Sequence, residues 1–111
     1  MRLTESLARE TREHGISVVA MGPGFVRTAM TELQLGETGR RWIPSSAASI
    51  ADGTDIPPTR AAALAFALTA RRDRLQPLTG RLFNISDDVD EVLSQSDDII
   101  AANRRTLRFC E

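Results

Sequence analysis

The chain has 111 residues, 41% of them hydrophobic and 26% charged, with 14 basic against 15 acidic side chains and a net charge of -1. That length bounds it at one domain, and that balance belongs to a globular chain, not a disordered one. The charge gives no electrostatic case for nucleic acid: arginines cluster at Arg40 and Arg41, at Arg71, Arg72 and Arg74, and at Arg104, Arg105 and Arg108, but acids are interspersed and aromatics are few.

No apolar run approaches the roughly 18 residues of a membrane span, and the alanine-rich stretch 61–70 is too short. Met1 and Arg2 lead straight into a polar helical pattern, so no signal peptide is expected. One cysteine, Cys110, excludes an internal disulfide framework and suits a reducing compartment, so the expected location is cytoplasmic.

In chain order, residues 2–14 form the first expected helix, with Leu3, Leu7 and Ala8 at helical spacing. His14 in its last turn and Gly15 beyond it read as a stop. No capping side chain precedes the helix, a start that suggests a chain beginning inside a larger pattern. Residues 16–21 read as a strand apolar on both faces, as in a covered parallel sheet. Gly22, Pro23 and Gly24 then form a tight turn that releases the polar Thr28. In α/β proteins ligands bind just beyond the carboxyl ends of parallel strands, and glycines let a flat ligand approach the backbone.

Residues 29–57 are irregular, a binding loop or lid with room for short helices. Pro58 opens the next helix, whose Ala61, Leu64, Ala65 and Leu68 recur at i, i+3, i+4 and i+7. Residues 81–86 read as a second strand, parallel to the first across that crossover helix. Asp88 and Glu91 resemble a capping box that opens a third helix running to about residue 102. Residues 106–110 alternate like a short extended segment.

The stretch RLTESLARETREHGISVVAMGPGFVRTAMT, with PPTRAAALAFALTARRDRLQPLTGRLFNIS, resembles the C-terminal part of a short-chain dehydrogenase/reductase. In that NAD(P)-dependent Rossmann family, an amphipathic helix follows the active-site Tyr-x-x-x-Lys. A Gly-Ile-x-Val strand, a Pro-Gly turn, a β-branched residue and a Thr come next. The resemblance implies an α/β fold, the C-terminal part of a Rossmann-type doubly wound parallel sheet, ordered helix, strand, loop with short helices, helix, strand, helix, tail. It makes residues 1–111 a portion of one NAD(P)-binding domain, with 29–57 as substrate-binding loop and 87–111 as a C-terminal extension.

The resemblance implies that Pro23 and Gly24 let the backbone close on a nicotinamide, and that Val26 backbone atoms with the Thr28 hydroxyl and amide hold its carboxamide. The plainer alternative is that the turn ends a strand and Thr28 caps the next helix. Met30, Leu33 and Trp42, with Leu35 and Ile43, would line the substrate loop or simply pack. The cofactor is NAD or NADP, and the whole family member's substrate is a small-molecule alcohol or carbonyl.

Two features depart from the family. The glycine-rich phosphate turn and the catalytic Ser, Tyr and Lys are missing, and the chain contains neither Tyr nor Lys at all. It therefore carries no catalytic residue for carbonyl reduction, which needs a Tyr acid with its pKa lowered by Lys. Asp87 and Asp88 stand where many members have a Gly-Gly ending. No metal site is expected: one His and one Cys make no zinc site, and acids at 87–91 fit a helix N-terminus better than a Ca²⁺ loop.

The resemblance thus implies a portion of an NAD(P)-dependent oxidoreductase performing hydride transfer, expected to be inactive alone. The rival expectations are a non-catalytic self-association module, or a truncated gene product. Homo-oligomerisation is expected through helix 2–14, with Leu3, Leu7 and Ala8 in a two-fold contact; neither nucleic acid nor membrane is an expected partner.

Overall fold

The structure, a computed structural model, describes residues 2–106, so the alternating tail expected at 106–110 lies beyond the described residues from position 107 onward. Packing divides the chain into two compact units: Met1–Gly22 with Leu64–Glu111, and Pro23–Ala63.

In the first unit, α1 (Arg2–Thr11) continues into one 3-10 turn, Arg12–His14, and stops at Gly15, whose φ of 68° only glycine adopts freely. The helix does not present Leu3, Leu7 and Ala8 together. Ala8 is buried while Leu3 is 79% exposed and Leu7 42%. The inward side of α1 meets backbone at Gly80, where an added Cβ would lie 3.4 Å from the Ala8 methyl. So close an approach admits Ala8 and has no room for a leucine. Ala8 is thereby removed from the expected two-fold contact.

The strand expected over 16–21 pairs regularly only at β1 (Ala20–Gly22), which lies parallel to β2 (Leu82–Asn84) with Ala20 opposite Leu82 and Gly22 opposite Asn84. Before Ala20 the chain still runs alongside. The Val18 N–H donates to Thr79 Oγ1 at 3.0 Å and its carbonyl accepts from the Gly80 N–H at 2.7 Å. Gly80 sits at φ 85°, which is not extended, so the ladder cannot start there. β2 is likewise shorter than the expected 81–86. It is ended by a turn in which Asn84 N–H donates to Asp87 Oδ2 at 2.7 Å and Asp87 N–H to Asn84 O at 3.0 Å. Among the described residues the sheet has these two strands. The architecture is a small mixed α/β fold with an open two-stranded parallel sheet.

Between the strands runs α5 (Pro58–Ala70), which starts at the expected proline and buries Leu64 and Leu68. Those two residues join Leu75, Leu78, Phe83, Val89, Val92, Leu93 and Ile99 in the core, with Phe83 and Leu78 at 0% exposure. The third expected helix is two: α6 (Val89–Ser94) and α7 (Ser96–Ala101), broken at Gln95. Asp88 does cap α6, its Oδ1 accepting from the N–H groups of Asp90 and Glu91 at 2.9 and 3.1 Å. The reciprocal half of a capping box is absent, because Glu91 Oε1 accepts instead from Gln95 Nε2.

Arg105 closes the unit from beyond α7. Its backbone is left-handed at φ 62°, and its carbonyl accepts from the Leu82 N–H at 2.9 Å. Its guanidinium donates to the Leu82 carbonyl at 3.2 Å and to both Asp87 oxygens at 2.6 and 3.1 Å, 5.9 Å from the Phe83 ring centre.

The second unit holds the irregular stretch, which resolves into short helices: α2 (Ala29–Glu32), a 3-10 turn at Leu33–Leu35, α3 (Glu37–Trp42) and α4 (Pro44–Ala51). Ala47 and Ile50 of α4 are its buried apolar residues. A single parallel bridge joins Val26 to Ile56, through Arg27 N–H to Ile56 O at 3.1 Å and Ile56 N–H to Phe25 O at 2.8 Å. Among the described residues no helix is long and apolar enough to cross a membrane.

Candidate functional site

The candidate turn begins at Pro23, in the residue after β1. Gly24 follows at φ 69°, a conformation that a side chain would strain. The bridge to Ile56 uses the Phe25 carbonyl and the Arg27 N–H. In a parallel bridge the residue between those groups turns its own N–H to the other side. The Val26 N–H accordingly has no hydrogen-bond partner among the described residues. Its carbonyl lies 3.2 Å from Thr31 Oγ1.

Thr28 is extended, at φ -141° and ψ 167°, and caps α2. Its Oγ1 accepts from the Thr31 N–H at 3.3 Å, while the Thr28 N–H donates to Thr31 Oγ1 at 2.7 Å. The cap closes in both directions, which fixes this short helix to the turn and holds the Thr28 amide within the protein. The Thr28 side chain remains on the exposed surface, as does Gly24, while Pro23 and Val26 are half-buried. Arg27 Nε bonds Glu32 Oε1 at 3.2 Å and so leaves no uncompensated charge beside the turn.

Of the expected substrate-loop residues, Met30 is 77% exposed, Leu33 78%, Trp42 72% and Ile43 41%, while Leu35 is half-buried. Arg41 stacks over the Trp42 ring at 5.5 Å. A cavity of about 330 Å³ in the same unit is lined by Leu35, Arg40, Pro44, Ala47, Ala48 and Ala51. Of the expected loop residues only Leu35 lines it; Met30, Leu33, Trp42 and Ile43 do not.

Elsewhere, two aspartates are held by arginines in structural pairs. Asp90 accepts from Arg71 Nε at 2.8 Å, from Arg71 Nη2, and from Arg74 Nη1 at 2.9 Å. The Arg71 hydrogen bonds, with its charge and that of Arg74, pull the Asp90 carboxyl down to about 2. Asp87 is also held below the carboxylate range, first by the Arg105 hydrogen bonds and then by the Asn84 N–H. Both are acids made inert as bases. His14 is exposed at the end of α1, 3.6 Å from Glu13. Among the described residues no His, Cys, Asp or Glu cluster could hold a metal ion.

A cavity of about 640 Å³ lies in the first unit along the residues leading into β1, with Ile16, Ser17, Val19, Leu68 and Leu75 in its wall. Sequence reasoning did not anticipate it, since Ile16 and Val19 read simply as interior strand residues. Nor did any signal mark Arg105, whose grip on β2 depends on a left-handed backbone at a residue type that seldom adopts one.

Searches against protein-family models, curated proteins and solved structures return no match for this chain.

Proposed function

We propose that residues 23–30 are the nicotinamide-side turn of an NAD(P)-dependent oxidoreductase of the short-chain dehydrogenase/reductase type. On this reading the chain is the C-terminal part of a Rossmann-type doubly wound parallel sheet. The supporting observation is the unpartnered Val26 N–H, two residues beyond a left-handed Gly24, in a turn that follows a strand of a parallel pair.

A carboxamide presents one carbonyl acceptor and an NH₂ donor in a fixed plane. The Val26 N–H would donate to that carbonyl, and the second lone pair of the Val26 carbonyl, with Thr28 Oγ1, would accept from the NH₂. The Thr28 amide takes no part, because Thr31 Oγ1 already accepts its proton. Pro23 and Gly24 contribute shape: one fixes the backbone, the other leaves it bare. NAD or NADP, when bound, supplies the hydride chemistry. The chain's own residues orient the ring amide and, through Met30, Leu33 and Trp42, offer apolar surface to an alcohol or carbonyl substrate. Having neither Tyr nor Lys, the chain moves no proton to or from that substrate and is inactive alone. Oligomer formation, on the same reading, uses the exposed Leu3 and Leu7 of α1.

The test is amide NMR with two half-cofactors. Nicotinamide mononucleotide is expected to shift the Val26 N–H and its neighbours in 23–31, and adenosine monophosphate to leave them in place. Equal response to both, or to neither, refutes the assignment.

A further inference from the structure

The cavity of about 330 Å³ in the second unit is walled by three successive elements. The 3-10 turn supplies Leu35, α3 supplies Arg40, and α4 supplies Pro44, Ala47, Ala48 and Ala51. All of the wall therefore comes from residues 35–51. On α4 the four positions fall at i, i+3, i+4 and i+7, along one side of the helix over about 10 Å. Side chains that small leave open the space that leucines would fill. The 3-10 turn and α3 are set against each other by Gly39, where an added Cβ would overlap the Gln34 backbone. That contact fixes the position of the next residue, Arg40.

Arg40 is the single charge in a wall whose other residues are apolar. Its guanidinium makes no ion pair or hydrogen bond with any described residue, and Glu37, three positions earlier on α3, does not pair with it. α4 begins at the same wall with Pro44, and it has neither a capping side chain nor an acid in its first turn. The positive end of its backbone dipole therefore adds to the Arg40 charge.

We propose that this cavity binds a medium-chain monocarboxylate, with the carboxylate on Arg40 and the hydrocarbon chain along Ala47, Ala48 and Ala51.

Both ends of that ligand follow from the wall. A guanidinium holds a carboxylate through two parallel N–H···O bonds, and a single arginine balances a single negative charge. A phosphate dianion or a dicarboxylate would leave charge uncompensated against apolar side chains. At about 30 Å³ for each non-hydrogen atom, the share of a water in the liquid, the cavity admits on the order of ten such atoms. That corresponds to an acid of roughly six to eight carbons. Small apolar walls with one placed polar group are the usual make-up of a small-molecule site. The assignment uses no residue of the turn 23–30, so it stands or falls apart from the nicotinamide reading.

Methyl NMR of the full chain titrated with octanoate should show saturable shifts at Leu35, Ala47, Ala48 and Ala51, with a Kd of about a millimolar or tighter. Acetate, which has the charge without the chain, and octan-1-ol, which has the chain without the charge, should each bind about tenfold more weakly or worse. Arg40→Gln should weaken octanoate about tenfold and leave octan-1-ol unchanged. Arg40→Glu should transfer the preference to octylammonium. Ala51→Leu, with its fold checked by circular dichroism, should fill the cavity and abolish the shifts. The proposal is overturned if octanoate moves none of these methyls, if octan-1-ol binds as tightly, or if Arg40→Gln binds octanoate like the wild type. Equal shifts at the exposed Met30 and Leu33 methyls would mean adsorption to apolar surface and would overturn it too, as would a folded Ala51→Leu that still binds.

Discussion

Arg105→Ala should cost about 2–3 kcal/mol of stability at neutral pH, between the ~0–1 kcal/mol of an exposed ion pair and the ~3–5 kcal/mol of a broken buried one. The structure places the pair between those limits: the Arg105 side chain is 24% exposed and that of Asp87 12%. The substitution removes the two-pronged bond to Asp87, the bond to the Leu82 carbonyl and the contact with the Phe83 ring. It leaves the Asp87 carboxylate with the Asn84 N–H as its remaining described partner. The backbone bond from Leu82 to the Arg105 carbonyl does not involve the side chain. Arg105→Lys, which keeps the charge and loses the fork, should fall between wild type and Arg105→Ala.

The assay is urea unfolding followed by circular dichroism. With a slope of ~1–3 kcal/mol per molar urea for a small protein, the midpoint should drop by about 0.7–3 M. The pH dependence adds a sign. Asp87 is held below its ordinary 3.8 by Arg105, so the pair's contribution is present above that value and is lost as pH falls through the lower folded value. The gap between wild type and Arg105→Ala should therefore be full at neutral pH and close in acid. A midpoint unchanged by the substitution, or a gap that does not narrow in acid, refutes the reasoning.

Phe83→Ala should cost about 3–5 kcal/mol, since the ring is at 0% exposure and a cavity would replace it, and thermal melting should show the loss as a lower Tm. Thr28→Ala should weaken α2 by about 0.5–1 kcal/mol through loss of its cap, seen as faster hydrogen exchange at the Thr31 amide, whereas Thr28→Ser should keep both cap and hydroxyl. Carbon-detected NMR titration should place the Asp90 carboxyl at about 2, moving towards the ordinary carboxylate range in Arg71→Ala; an unmoved value would mean that the Arg71 bonds are not its cause. The purified chain should oxidise neither NADH nor NADPH with any carbonyl compound, and turnover would show that the missing Tyr and Lys are not needed.

Much of the local structure was legible in single residues. Gly15 stops α1, Pro58 starts α5 and Asp88 caps α6, each because a backbone preference or a short side chain acts within its own turn of chain. The candidate turn was legible in part. Its Gly-Pro-Gly spelling announces a bend, and Thr28 announces a cap; that the Val26 N–H would be unpartnered depends on Ile56, thirty positions away. Strand lengths were less readable, because a left-handed Gly80 across the sheet, not the apolar run 16–19, sets where pairing begins.

Periodicity and punctuation, then, were enough by themselves to order helix, strand, irregular stretch, helix and strand, since those signals act over a few residues. They were not enough to resolve the short helices of 29–57 or the break at Gln95. Only tertiary packing could decide that Ala8 turns inward while Leu3 and Leu7 face outward, because that follows from a backbone approach at Gly80, seventy-two positions after Ala8. Packing likewise decided that Arg105 seals the outer edge of β2. Hydrogen-bond supply along a strand is the same for every sequence; which edge finds a partner is settled by what the rest of the chain brings beside it.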